Sequence, residues 1–489
     1  MTGLRRLSLL ALVMAAVAVA RRGRRAATVA SRSSIGRNAA VAGMGARTGG
    51  RWAVTQARKT FASAERREQL SHEFEMKTTE DVVASLGNLK GAMMKVGQMA
   101  SYLDLGLPEN VRLTLAQLQT EAPPMAPELA AQVIEAELGA APEVVFAEWD
   151  SEPIASASIG QVHRAMTHDG RAVAVKVQYP GVAEAIGSDL RTNDALFSGL
   201  RLMFPGIDTS AITEELRDRL SEELDYELEA RNQQYFADHF EGHPFIHVPS
   251  VVDELSTSRV LTSDLVVGST FSEVLQWTQE ERDLAAETLF RFSFGAIYRL
   301  AAFNGDPHPG NYIFHTGGRI TFLDFGLVKH FDPADTALFE SLIANMVVTR
   351  DVPAFRADIE AAGLLPAGAP FADDLIGEYF EHFYDFVLED REFTFDDEYS
   401  AAGVRAIFDT GGEHGELKKV LNVPASFVVL QRINLGLIAL FGQLHATANW
   451  RKVAEELWPF VEAGPSTEMG RTIERWGRAS GKRPRYEGL

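Results

Sequence analysis

The chain has 489 residues, 46% hydrophobic and 23% charged, enough for two to three domains or one large two-lobed unit around a sizeable core; disordered, collagen-like and coiled-coil proteins are excluded. It has no cysteine, which removes disulfides, thiolate metal sites, iron–sulfur clusters and cysteine nucleophiles, and which fits a reducing cytoplasm. The net charge of −20 is uneven: residues 1–64 carry twelve Lys/Arg and no acid, and the rest holds 35 bases against 67 acids, a balance of −32. So acidic a body repels phosphate backbones, and no nucleic-acid partner is expected.

Residues 7–20, LSLLALVMAAVAVA, form a 14-residue apolar run between Arg5-Arg6 and a cluster of four arginines at 21, 22, 24 and 25. As a helix it spans about 21 Å, short of the roughly 30 Å hydrocarbon core. Three readings stand: a basic, partly inserted anchor drawn to anionic lipid, a disordered tail or a start placed too far upstream, and a cleaved export signal. The arginines that follow the run argue against export, because positive charge stays on the cytoplasmic side. Residues 1–60 are therefore expected to be a membrane-anchor and linker segment, with the protein on the cytoplasmic side of the cell membrane or in the cytoplasm.

Helical patterning begins near Phe61, and Leu86, Leu89, Met93, Val96 and Leu103 make one apolar helix face. Residues 61–140 are expected to be a helical extension that ends in a short helix around Glu128–Leu138. A small strand-rich lobe then covers 141–267. Val162–Ala165 and Ala172–Val177 read as strands joined by the turn His168-Asp169-Gly170. A long helix through Leu216, Leu220, Leu224 and Leu228 follows, then strands at Val248–Val252 and Arg259–Leu265. Residues 268–450 read as a larger helical lobe interrupted by strand-like Tyr312–Phe314 and Ile320–Leu323. Leu435–Phe441 is too short to span a membrane and reads as core helix. Residues 451–489 form a tail, expected to be loosely ordered from Gly464.

Four segments suit nucleotide and metal binding. Ala155-Ser156-Ala157-Ser158-Ile159-Gly160-Gln161-Val162 is a small-residue turn whose backbone can approach phosphate oxygens, or a plain surface turn. Lys176 ends the strand Val173–Lys176 and either holds phosphates as a point charge or reaches solvent. In Glu222–Glu229, Asp225 and Glu229 form an i, i+4 pair on a helix face, which nearby cations such as Lys176 and Lys95 would stabilise, or a solvated acidic face. The specific signal is the fourth. Asp306 and Asn311 lie five residues apart on the loop DPHPGN, and Asp324 follows in Asp-Phe-Gly after a short hairpin. Phosphoryl transfer needs this set: one carboxylate to orient the nucleophile, and oxygen ligands from Asn and Asp to hold Mg²⁺ on the phosphates. His308, between two prolines, reads as a loop-fixing hydrogen-bond partner or as a metal ligand or acid/base. The four segments in this order point to a nucleotide-binding, kinase-type fold.

With these segments in hand the chain resembles the UbiB/AarF family of atypical protein-kinase-like proteins. Lys95-Val96-Gly97-Gln98 is similar to that family's KxGQ signature, Ala155–His163 to its alanine-rich loop and Glu223-Leu224-Asp225 to its ExD element. The resemblance covers roughly residues 60–450. It implies an α+β, two-lobed protein-kinase-like fold with an N-terminal helical extension over the cleft. It implies that Lys176 contacts phosphates, with Glu229 as its helix partner; that Asp306 takes the catalytic-loop role; and that Asn311 and Asp324 bind Mg²⁺. Ala155, Ser156, Ala157, Ser158, Ile159, Gly160 and Val162 would line the nucleotide, ATP or ADP. Lys95, Gly97 and Gln98 would form a lid in which Lys95 pairs with Glu223 and Asp225. Alanine at 155 and 157 is stiffer than glycine, so the loop would clasp nucleotide in fewer geometries.

Two departures bear on function. Asn304 stands two residues before Asp306, where kinases have histidine, and no Ala-Pro-Glu follows Asp324-Phe325-Gly326, which lowers the expectation of protein phosphorylation. The reading is an atypical kinase or ATPase that uses ATP and Mg²⁺ and supports isoprenoid quinone or lipid metabolism. Its expected partners are nucleotide, anionic membrane lipid and quinone-pathway lipids or enzymes. Its rivals are a small-molecule kinase similar to the aminoglycoside and choline kinases, and a non-catalytic, nucleotide-gated lipid-binding or scaffold protein.

Overall fold

The structure is a computed structural model and describes residues 127–157, 159–180, 224–305, 307–396, 398–400, 414–422 and 425–481. The chain divides into two compact units, and the larger one, Met125–Gln178 with Ser221–Leu489, holds nearly all of these residues. Residues 1–126, and with them the expected anchor, the Leu86–Leu103 helix face and the KxGQ segment, lie outside the described residues.

The first lobe is built on a four-stranded antiparallel sheet in the order β1-β2-β3-β5, from β1 (Glu148–Ser156), β2 (Gly160–Met166), β3 (Ala172–Gln178) and β5 (Val260–Asp264). β2 and β3 are the expected hairpin, turned by Gly170 at φ 85°, a left-handed value that glycine adopts without strain. Along β3 the side chains alternate: Val173, Val175 and Val177 are fully buried, and Ala172, Ala174 and Lys176 point to the other face. α1 (Pro127–Leu138) packs on β3 and β5 through Ala130, Val133 and Ile134. It is tied there by Glu137, which pairs with Arg259 at 2.6 Å and accepts from the Thr257 hydroxyl. A one-turn α2 (Pro142–Val145) leads into β1.

α3 (Tyr226–Phe240) contacts β5 and carries the buried stripe Tyr226, Glu229, Gln233, Phe236, Ala237 and Phe240. Its N-cap is Asp225, whose Oδ1 accepts from Leu228 N–H at 2.9 Å. Leu224 therefore precedes the helix that holds Leu228, and the single leucine stripe expected across both is corrected. The expected strand Val248–Val252 is also corrected: Pro249 lacks an N–H for a ladder, and only Val251 bridges, to Ser263. The strand in that region is β4 (Ile246–His247).

The second lobe begins with α4 (Phe271–Val274) and is organised on α5 (Gln279–Leu300), which is capped by Thr278, closed by Ala301 in the left-handed region and buried on most sides. Beside it lie β6 (Ala302–Asn304), the hairpin β7 (Tyr312–His315) and β8 (Arg319–Phe322), and β9 (Val328–His330). β4-β8-β7 form one sheet and β6 pairs with β9. Around α5 follow α6 (Pro333–Ile343), continued by a π-turn through Val348, then α7 (Val352–Ala361), α8 (Asp373–Leu388), β10 (Phe393–Thr394) and α9 (Gly415–Val420). The chain continues with α10 (Ala425–Leu444), β11 (Thr447–Ala448), α11 (Trp450–Glu455) and α12 (Glu468–Ser480). As expected, Leu435–Phe441 belongs to a core helix: Leu437, Leu440 and Phe441 are buried in the core cluster. No helix among the described residues is long and apolar enough to cross a membrane.

The tail from Gly464 is a correction. Thr467 caps α12, and Met469, Gly470 and Ile473 bury its inner face. The result is a two-lobed α+β kinase-like fold.

Candidate active site

Three strands bring the first group of residues together. Ala155 is paired with Val162 and Val162 with Lys176, so these three occupy one cross-strand row and share a sheet face. The loop between β1 and β2 closes tightly, with Ala157 N–H donating to Gly160 O at 2.9 Å. Ser156 pairs with Gln161, and Ile159 is buried, so the isoleucine anchors the loop. Ser158 lies outside the described residues. Gly160 is required by proximity: a Cβ there would sit 2.4 Å from Val177 O and 2.9 Å from Tyr226 Oη. On the opposite face His163 stacks on Trp149 at 4.6 Å. Its Nδ1 bonds Asp150 O and its Nε2 meets the Gln161 amide, which fixes Nδ1 as the protonated nitrogen.

Lys176 does not reach for solvent. Its Nζ donates to both Glu229 oxygens, at 2.7 and 2.8 Å, and lies 3.9 Å from Asp324 Oδ2 and 4.9 Å from the Tyr226 ring centroid. Burial opposes the ammonium, but the Asp324 and Glu229 carboxylates outweigh it and hold the lysine well above its ordinary range. The acidic-face alternative for Glu229 is thereby excluded. Asp225 is spent differently, as the cap of α3. Glu223 and Lys95, its expected companions, lie outside the described residues, as do Gly97 and Gln98.

The β7–β8 hairpin places the metal-ligand candidates. Tyr312 pairs with Phe322, and beyond that pair Leu323 N–H donates to Asn311 O at 2.8 Å. Asn311 and Asp324 therefore emerge from the same end of the hairpin, although 13 residues separate them. Asp324 has φ 58°, a conformation that costs a non-glycine residue of order 1 kcal/mol or more and needs local restraint. Restraint comes from Gly326 N–H to Asp324 Oδ1 at 3.2 Å and from Asn304 Nδ2 to Asp324 O at 3.0 Å. Asn304, which departs from the kinase pattern, thus braces the Asp-Phe-Gly turn directly. Phe325 is fully buried against Phe236 of α3 and Phe292 of α5, and its carbonyl accepts from Asn232 Nδ2 at 3.1 Å.

Asp306 itself lies outside the described residues. Its neighbours are fixed: Gly305 N–H donates to Leu327 O at 2.6 Å, and Pro307 packs on Gly436 of α10 so closely that a Cβ there would fall 2.6 Å from Pro307 Cγ. His308 accepts from Gly310 N–H at 3.0 Å and caps the 3₁₀ turn Pro309–Asn311, the loop-fixing role.

Tyr226 and Asn232 were missed from sequence, and Asn304 was noted there only as a departure, without its bond to Asp324 O. A readable signal existed for the first two. Polar residues recur at 226, 229, 232 and 233 along the buried side of α3, where a purely structural helix would carry hydrocarbon.

The donor set at the hairpin end, one carboxylate and one amide oxygen, fits Mg²⁺, which takes one or two protein oxygens and completes its shell with phosphate oxygens and water. A cage of three or more His, Asp or Glu is absent among the described residues. A lysine anchored by a helix carboxylate, beside an aspartate on a braced turn and an asparagine on the neighbouring loop, defines a protein of the atypical kinase-like class. The ABC1 atypical kinase-like domain model matches residues 117–357. The mitochondrial atypical kinase coq-8 of Caenorhabditis elegans is 34% identical over 273 residues, 54% of this chain and 36% of that protein. The mouse AarF domain-containing protein kinase 1 is 34% identical over 250 residues, 49% of this chain and 47% of that protein. The matched stretch thus spans about half of these curated relatives or less. The solved structure of Rv3197 with erythromycin, from Mycobacterium tuberculosis, is 31% identical with a TM-score of 0.60, over 81% of this chain and 100% of that one. The chain belongs to the ABC1, or UbiB/AarF, family of atypical kinase-like proteins.

Proposed function

We propose that this protein binds Mg·ATP and catalyses its hydrolysis or the transfer of its terminal phosphoryl group, in support of isoprenoid quinone or lipid metabolism at a membrane. The observation that carries the chemistry is the Lys176 ammonium held between Glu229 and Asp324, beside a hairpin end that presents Asn311. Glu229 keeps the ammonium charged and aimed, so that it meets nucleotide phosphates without reorganising at the moment of reaction. Asp306 would accept a proton from the attacking hydroxyl or water as its oxygen bonds to the γ-phosphorus and the bond to the β-phosphate oxygen breaks. Asn311 and Asp324 would hold Mg²⁺, which when bound neutralises charge on the phosphates. The quinone and lipid connection is supported by kinship with coq-8, and the membrane by the arginine-flanked apolar run at residues 7–20.

The test is phosphate release from Mg·ATP by the full chain, with and without phosphatidylglycerol vesicles, beside Asp306→Asn and Asp324→Asn. Vesicle-stimulated turnover that is lost in both variants is the expected result. Intact nucleotide binding with no turnover under any condition would replace this reading with the nucleotide-gated scaffold.

A further inference from the structure

The second lobe holds a half-open cavity of about 270 Å³ that none of Lys176, Glu229, Asn311 and Asp324 lines. Two helices wall it off from them. On α5, Phe290, Phe294, Ile297 and Tyr298 line the cavity; Phe292, on the opposite side, packs on Phe322 and Phe325. On α10, Asn434, Leu435, Leu437 and Ile438 line it, and Gly436 packs on Pro307. A 3.6-residue repeat sets Phe292 about half a turn from Phe290 and Phe294, and Gly436 about half a turn from Asn434 and Ile438, so both helices stand between the cavity and the candidate active site.

The lining defines the ligand chemistry. Among the described residues it is aromatic and aliphatic with no Asp, Glu, Lys, Arg or His, so a charged ligand would lose its hydration with nothing in return. Polar groups interrupt the hydrocarbon at Tyr298, Tyr379, Tyr384, Asn422, Asn434 and Trp458. Asn434 Oδ1 is buried and has no hydrogen-bond partner among the described residues. The Tyr298 and Tyr384 phenols also line the cavity, and burial raises both, Tyr384 to about 12, which keeps them protonated as O–H donors. Interiors pack densely, an empty apolar cavity lowers stability in proportion to its volume, and an orphaned buried carbonyl adds to that cost. An apolar cavity of roughly 150 Å³ suffices for a benzene ring, so this one takes a longer or branched hydrocarbon.

We infer that the cavity binds an uncharged hydrocarbon ligand bearing one hydroxyl group, whose O–H donates to Asn434 Oδ1 while the chain fills the aromatic lining. The inference is independent of the phosphoryl-transfer reading, since it rests on neither Lys176, Asn311 nor Asp324. An isoprenoid alcohol and a straight-chain alcohol share this chemistry.

The experiment is calorimetric titration of the full chain with farnesol, 1-dodecanol, farnesene and farnesyl phosphate. Both alcohols should bind, the tighter one naming the source of the ligand. Farnesene and farnesyl phosphate should each bind about tenfold more weakly or worse, the former through loss of one hydrogen bond and the latter through its charge. Asn434→Leu should reduce farnesol affinity to that of farnesene, and Ile438→Trp should abolish binding of every probe with Mg·ATP affinity retained. Farnesyl phosphate binding as tightly as farnesol, or farnesol affinity unchanged in Asn434→Leu, would overturn the assignment even if Ile438→Trp fails to fold.

Discussion

Lys176 carries opposing forces of unequal size. Its side chain is 17% exposed and that of Glu229 3%, so each charge on its own would be expensive, and the 2.7 Å contact offsets the desolvation of both. Removing one partner takes the nearest counter-charge from the other: Glu229→Ala and Lys176→Met should each cost about 3 kcal/mol, because each leaves a buried charge without its 2.7 Å partner. The double variant should cost less than the two together, with a coupling of about 1–3 kcal/mol in urea denaturation. Additive losses would mean that the two groups stabilise the fold separately. Gly160 makes a second prediction at this scale. Backbone blocks a Cβ there, at 2.4 Å from Val177 O, so Gly160→Ala should destabilise the protein by roughly 1–3 kcal/mol. It should also weaken ATP binding, since the displaced neighbour, Tyr226, lies against Lys176. A variant with wild-type stability would show that the loop yields freely.

α3 is the element in which local structure and site meet. Asp225 caps it, Glu229 one turn on reaches Lys176, Asn232 holds Phe325 O, and Phe236 packs on the Phe325 ring. Asp225 thus has a structural role beside the proposed lid pairing with Lys95, and two substitutions separate them. Asp225→Ala should lower stability by about 1 kcal/mol through the lost cap, whereas Asp225→Asn keeps an N-cap acceptor and should stay near wild type. If the charge also pairs with Lys95, Asp225→Asn will change ATP turnover at unchanged stability. Equal stability loss in both variants would refute the cap. Much of this element was legible in the sequence. The acidic run, Lys176 on its strand and the DPHPGN and DFG loops were readable, because phosphoryl transfer demands fixed residue types at fixed spacings. The cap at Asp225 was hidden by the regular leucine spacing on both sides of it, which imitates one continuous helix. β1 was hidden because Glu148–Ser156 is an edge strand exposed along most of its length, without a two-residue apolar alternation. β6 and β9 are only three residues each, and their pairing depends on contacts between segments distant in sequence.

At the scale of the whole molecule, the C-terminal helix shows how a polar segment is tied into a core. Glu456 is buried, and its Oε1 accepts from Ser466 and Thr467 N–H while its Oε2 accepts from Arg291 Nη2 at 2.6 Å. Gly470 of α12 packs directly on that carboxylate, leaving no room for a Cβ. Burial works against ionised Glu456, but Arg291 and the Thr467 N–H prevail and hold its carboxyl below the ordinary range. Beside Trp476 of the same helix, His243 is kept neutral: burial, then Arg299 and Arg291, push it down to about 3, and its Nδ1 accepts from Phe245 and Ile246 N–H. Both groups have folded-state pKa values below their unfolded ones, so each contributes stability at higher pH that is lost as protons bind the unfolded chain first. The windows differ. His243 begins to lose its contribution at about pH 6.5, and Glu456 only below about 4.5. Between pH 7 and pH 5, His243 should account for about 2 kcal/mol of lost unfolding free energy, at no more than about 1.4 kcal/mol per pH unit. His163, His247, His315 and His330 are lowered as well, by burial first, and add to the slope in the same direction. His243→Asn keeps a side-chain acceptor for the two N–H groups but cannot titrate, so its stability should fall less steeply from pH 7 to 5, by about the proton that His243 supplies. Urea midpoints across that range make the comparison, and parallel curves for variant and wild type would assign the acid sensitivity to the other histidines. Below pH 4.5 both proteins should steepen together as Glu456 takes its proton and releases α12, which Trp476 fluorescence would report before global unfolding.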